Sequence, residues 1–142
     1  MIRFEVIRPD PGFSLTLEEE SGEVELECPF SVPLFFAQNC RKGDLMLWLD
    51  VETNVVGIFA GDRRVAWRHA MIARANIAIL HPAKGQSGVV GFEVGLREEA
   101  GERPVFAVDE YSREILDWFK LRRSALNEYF GVEVAVKDYG TL

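Results

Sequence analysis

Asp50 and Glu52 stand two residues apart where an apolar run, Leu47-Trp48-Leu49, gives way to Asp50-Val51-Glu52-Thr53. Alternate side chains of a strand share a face, so both carboxylates could reach one divalent cation. Cys40 precedes Arg41 and Lys42. Adjacent positive charge lowers a thiol pKa, which makes Cys40, with His69 or His81, a candidate nucleophile and base. Arg122 is the third position of interest. Ile115, Trp118, Phe119, Leu126, Tyr129 and Phe130 recur at helical spacing, and Arg122 falls inside their apolar arc. A buried guanidinium needs a carboxylate or carbonyl partner. If it is not paired internally, it is an anion site or an interface anchor, with Trp118 and Phe35 as its companions.

The Asp50-Val51-Glu52-Thr53 stretch resembles the opening motif of the DEDD-type exonucleases. That resemblance implies four carboxylates around two metal ions that stabilise the attacking and leaving oxygens of phosphodiester cleavage. The later motif of that family pairs His or Tyr with an Asp on a helix. Here Tyr111 and Asp117 are six apart, which does not place them on one helix face. Glu52-Thr53-Asn54 also fits a turn between two β-rich runs. A metal-dependent nuclease at Asp50 and Glu52 is therefore a minor alternative, and no metal or cofactor is expected. There is no G-x-S-x-G elbow, no Walker A loop and no G-x-G-x-x-G after a strand.

The chain's charge is lopsided. Its net charge is −7, from 16 basic and 23 acidic residues, and Glu18, Glu19, Glu20, Glu23, Glu25 and Glu27 fall within ten positions. Such a balance argues against direct nucleic-acid binding, which needs a basic footprint. A solvated face explains clustered glutamates most simply. The functional alternative is a docking surface, formed by Glu18, Glu20, Glu23, Glu25 and Glu27, for a basic protein partner. Charge of one sign speeds encounter and rejects wrong partners.

These residues must be positioned by ordinary elements. Length (142 residues) and composition (48% hydrophobic, 27% charged) suit one globular domain spanning 1–142. No apolar run is long enough to span a membrane, and the alternating N-terminus lacks a signal-peptide core, so the expected location is cytoplasmic. Two cysteines without a secretory signal predict no structural disulfide. Period-two alternation predicts strands at 2–8, 13–19 and 23–28, joined as a meander by turns at Asp10-Pro11-Gly12 and Ser21-Gly22. Further strands are expected at 45–51, 54–60, 89–97, 104–108 and 132–137, with 68–80 open between helix and strand. Phe30, Phe35 and Phe36 suggest a loop or short helix against the core. Asp109 is the expected N-cap of one long C-terminal amphipathic helix ending at Gly131. The predicted fold is α+β: a mostly antiparallel, twisted sheet of about seven or eight strands with that helix packed on it. The predicted function is binding rather than catalysis. A small acidic protein of immunity, inhibitor or adaptor type would mask a basic partner. The alternative is a ligand-binding protein or enzyme with a pocket between sheet and helix, lined by Arg122, Trp118 and Phe35.

Overall fold

The computed structural model describes residues 1–18 and 28–141. Within them, nine strands and three α-helices form an α+β arrangement of two sheets. The first sheet has four antiparallel strands in the order β1-β3-β4-β5: β1 (Ile2–Ile7), β3 (Leu45–Asp50), β4 (Val55–Phe59) and β5 (Arg64–Arg68). The second has five, in the order β2-β8-β7-β6-β9: β2 (Thr16–Leu17), β8 (Arg103–Val108), β7 (Val89–Leu96), β6 (Ile72–Leu80) and β9 (Val134–Asp138). Among the described residues only the β6–β9 pair is parallel.

The expected single sheet is thus two. β1 pairs with β3, and the two-residue β2 pairs with β8. The turn after Asp10 therefore carries the chain from one sheet to the other instead of closing a hairpin. The alternation of Phe13, Leu15 and Leu17 marks an inward face correctly, but an inward face does not say which strand lies alongside. The undecided stretch 68–80 is a short 3-10 turn, His69–Met71, followed by β6. The expected strand at 23–28 falls almost wholly outside the described residues.

The expected long helix is also divided. α2 (Arg113–Leu121) and α3 (Arg123–Phe130) meet at Arg122, whose backbone (φ −95°, ψ 4°) leaves the helical region. The Arg122 N–H turns to Phe119 O at 3.0 Å, which leaves Trp118 O without its usual i+4 amide. The Arg122 guanidinium fills that place, donating to Trp118 O at 2.9 Å. Ser112, not Asp109, caps α2: its Oγ accepts from Ile115 N at 3.1 Å. Gly131 ends α3 in the left-handed region (φ 71°), where glycine escapes the Cβ clash.

Alternation along β3 assigns its side chains to two cores. Leu45, Leu47 and Leu49 face the main core, with Val56, Ile58, Val65 and Trp67 from their own sheet. That core also takes Ile77, Phe92 and Phe106 from the second sheet and Trp118, Phe119, Leu126 and Phe130 from the helix pair. α2 packs on β6 and β7, and α3 on β3 and β9. The helix pair thus bridges the sheets. Met46 and Trp48 face the other way, into a second core with Val32, Phe59 and Ala66. α1 (Ser31–Asn39) covers part of that outer face. Phe35 stacks on Phe4 at 4.1 Å and Phe36 meets Phe59 edge-on at 5.1 Å, so the aromatic cluster does form a short helix over a core. Pro33 is tolerated because it lies in the first turn, where no amide partner is lost.

Candidate functional site

The outer face of the four-stranded sheet is built in rows. Trp48 pairs with Gly57, and Gly57 with Ala66; one step towards the β3–β4 turn, Asp50 pairs with Val55, and Val55 with Arg68. Gly57 makes the first row possible. A Cβ there would lie 2.3 Å from ring carbons of Trp48 and 2.6 Å from its Nε1, so the indole occupies the space that the missing side chain leaves. The second row carries a carboxylate on β3 and a guanidinium on β5. Two strand spacings separate them, about 10 Å.

α1 leaves this end of the face uncovered, and a cleft of about 650 Å³ opens there. It is lined by Cys28, Pro29 and Phe30 from the approach to α1, Trp48 and Asp50 from β3, Thr53 from the turn, Val55 from β4 and Arg68 from β5. The volume is in the range of small binding sites, roughly 300–1,000 Å³. Trp48 is buried, and its indole N–H has no hydrogen-bond partner among the described residues. Phe30 is 87% exposed, an unusual state for phenylalanine at a helix start. Leu34, one turn further on, is exposed as well. Burial pushes the Cys28 thiol above its ordinary pKa, and Arg64 nearby partly offsets this.

The residues singled out in the sequence fall in several places. Asp50 lies in the cleft, but its Oδ1 accepts the Glu52 backbone N–H at 3.1 Å, the local bond of a turn. Glu52 is exposed and pairs with the Met1 ammonium at 3.2 Å. Among the described residues no group of three His, Cys, Asp or Glu side chains could hold a metal ion. Arg122 and Trp118 are together, with the guanidinium 3.7 Å above the indole centroid. Burial lowers the Arg122 pKa, opposed by Asp10 and Glu5. No ion pair to Arg122 occurs among the described residues. The Trp118 indole N–H is also buried without a partner among them, and Phe13 packs edge-on against the ring at 5.3 Å. Phe35 does not join this pair. It belongs to the second core, whereas Trp118 belongs to the main one, and β3 runs between.

The thiol reading of Cys40 meets the opposite electrostatics. Burial, then Asp44, raise the Cys40 pKa, with Arg8 opposing. The two imidazoles are engaged elsewhere: His69 Nε2 with Tyr129 O at 2.7 Å and His81 Nε2 with Asp138 at 2.8 Å. Of the acidic set, Glu18 is half-buried and its N–H bonds Val105 O at 2.8 Å, extending the β2 edge. Glu20, Glu23, Glu25 and Glu27 lie outside the described residues.

Sequence reasoning missed a polar network on the open face of the five-stranded sheet. Glu93, on β7, is buried, and its Oε1 accepts from Tyr139 Oη at 2.5 Å and from Asn76 Nδ2 at 3.3 Å. Glu102 receives Arg74 at 2.5 Å and Lys137 at 3.2 Å beside it. A glutamate inside the run Val89–Leu96 was the available signal. No helix of the described residues is long and apolar enough to cross a membrane. No family model, no curated protein and no solved structure matches the chain.

Proposed function

We propose that this protein binds, and thereby masks, a basic protein partner through residues 18–27, as an immunity, inhibitor or adaptor protein does. The supporting observation is where the charge sits. Five of the 23 acidic residues lie in 19–27, while all 16 basic ones lie outside it. The net charge of −7 therefore has one dominant source. The segment starts at Glu18, beside the edge strand β2, and rejoins the described residues at Cys28, at the mouth of the cleft. Concentrated charge of one sign speeds encounter with an oppositely charged partner and rejects wrong ones.

The test is capture of proteins from the native host on the tagged chain at low and high salt, with mass spectrometry of what is retained. A stoichiometric basic protein, released by salt and lost in the Glu20→Lys, Glu23→Lys, Glu25→Lys variant, is the expected result. A partner that ignores both salt and charge reversal would contradict the reading.

The pocket reading keeps one favourable observation, the half-buried guanidinium of Arg122 beside the Trp118 indole, whose N–H has no hydrogen-bond partner among the described residues. Arg122 also caps the broken helix. If the pair binds an anion, titration with sulfate will shift the Trp118 indole N–H resonance.

A further inference from the structure

We infer that two copies of this chain pair through the exposed edge of β1, antiparallel and centred on Phe4, so that the four-stranded sheet of one continues into that of the other. The inference stands apart from the masking role above. It starts from the bonding alternation of β1. Met1 O accepts Val51 N at 3.0 Å, and the register pairs Arg3 with Leu49 and Glu5 with Leu47. Bonded pairs of an antiparallel ladder recur at every second residue, so Met1, Arg3, Glu5 and Ile7 direct their main-chain groups to β3. The N–H and C=O of Ile2, Phe4 and Val6 point the other way. β1 ends the sheet order, and among the described residues no strand bonds that side. A row of unpaired main-chain groups is a template for another strand.

Side-chain charge selects the occupant. The edge reads Ile2-Arg3-Phe4-Glu5-Val6, which is its own complement when reversed. Centred on Phe4, an antiparallel copy exchanges main-chain bonds at Ile2 with the second copy's Val6, at Phe4 with its Phe4, and at Val6 with its Ile2. Between these, Arg3 stands opposite Glu5 of the second copy, and Glu5 opposite its Arg3. Such reciprocal contacts are what a two-fold axis requires. The smallest slip that keeps the bonding rows facing sets Arg3 against Arg3 or Glu5 against Glu5, and like charges directly opposite destabilise a strand pair. Glu5 is exposed and forms no ion pair among the described residues. Arg3 is held at the edge by Glu128, with its guanidinium 5.3 Å from the Tyr129 ring centroid, and its forked donors can take a second carboxylate.

Charged residues on an edge strand also guard it against aggregation. An apolar strand laid here would cover Arg3 and Glu5 unpaired, whereas a second copy pairs both. The opposite edge of the same sheet supplies the contrast. On β5, Arg63 O accepts Ala60 N at 2.9 Å and His69 N donates to Asn54 O at 2.8 Å, so Arg64, Ala66 and Arg68 carry the outward groups. The equivalent pairing, centred on Ala66, would set Arg64 against Arg68 of the copy. That edge repels a second copy, and β1 attracts one.

The experiment is sedimentation equilibrium of the full chain from about 10 µM to about 1 mM. Salt of about 0.15 M screens the repulsion between two chains of net charge −7. A contact limited to one strand pair lies at the small end of interfaces, so a dimer that fills within this range is expected. Amide hydrogen exchange by NMR locates it. The Phe4 and Val6 amides should exchange fast in dilute protein and slowly in concentrated protein, while Ala66 and Arg68 stay fast in both. Glu5→Arg should weaken dimerisation about tenfold, and Arg3→Glu likewise. Mixed together, these two variants should associate with each other more tightly than either does with itself, because every arginine then faces a glutamate.

A monomer at about 1 mM, where a weak dimer of this kind would be filled, would overturn the proposal. So would a dimer indifferent to Glu5→Arg, or one whose Phe4 and Val6 amides are equally fast at both concentrations, which would place the contact elsewhere. Slow exchange at both concentrations would mean that the chain covers this edge itself, and would overturn it too. If Arg3→Glu, which also loses the contacts to Glu128 and Tyr129, does not fold, Glu5→Arg and the exchange rates decide alone.

Discussion

Gly57 and Trp48 show how a residue without a side chain can determine a surface. The indole fills the volume above Gly57, so Gly57→Ala would place a methyl group 2.3 Å from ring carbons. Overpacking of this kind costs about 1–3 kcal/mol. The Tm should fall by roughly 3–10 °C, as calorimetry would show. Glu93 depends on Tyr139 in a comparable way. Burial, then the Glu93 carboxylate, raise the Tyr139 phenol above its ordinary 10.0. A raised pKa means that the folded state favours the protonated phenol. Its contribution is therefore complete below pH 10 and disappears as the pH climbs above it. Tyr139→Phe should leave Glu93 with Asn76 alone, lower stability by about 1–3 kcal/mol, and flatten the alkaline part of the stability profile. Asp44 behaves in the opposite sense. Burial acts to raise its carboxyl, but two-point binding by Arg8, at 2.8 and 3.2 Å, and the Arg41 N–H bring it below 3.8. Its contribution is present above pH 3.8 and lost as the pH falls through the lowered value. Asp44→Asn should remove that acid-side loss, which a urea titration at several pH values would reveal.

At the scale of elements, the break between α2 and α3 is the most informative feature. Arg122 serves both sides of it: its amide turns to Phe119 O, its guanidinium takes Trp118 O, and its carbonyl accepts Leu126 N at 3.0 Å. Arg122→Lys should destabilise nearly as much as Arg122→Ala, by about 1 kcal/mol in each case. Lysine lacks the planar group that stacks on Trp118 while donating to the carbonyl. A lysine variant as stable as the parent, measured by chemical denaturation, would show that charge alone matters there. The position of Arg122 in the apolar arc was legible in the sequence, as was the Gly131 stop. The break itself was not legible, because helical spacing continues through it: Trp118, Leu126 and Phe130 keep their period across the interruption. Strand partners were equally hidden. Alternation marked an apolar face along β1 and along the stretch around β2, but only the fold shows that they join different sheets and that Ile2 and Phe4 of β1 pack on the second core. Asp50, read as a potential metal ligand, proved to be the start of a turn that also borders a cleft. The cleft arises from residues on four separate segments, and no local spacing could announce it.

At the scale of the whole molecule, architecture and charge are divided. Two sheets and a helix pair bury one large apolar core, with a second core under α1. The excess negative charge is concentrated in a short stretch between Glu18 and Cys28. That concentration was fully visible in the sequence, since it needs no knowledge of folding. What the fold adds is the position of the described residues that flank it: Glu18 extends the β2 edge and Cys28 lines the cleft. If the stretch docks a basic partner as proposed, the association rate should be governed by ionic strength. The most direct measurement is the association rate of the captured partner by stopped flow across a series of salt concentrations. It would compare the parent chain with the Glu20→Lys, Glu23→Lys, Glu25→Lys variant. A rate that falls steeply with salt for the parent, and is slow and nearly flat for the variant, is the predicted result. Equal rates with equal salt slopes would show that the acidic segment does not recognise the partner.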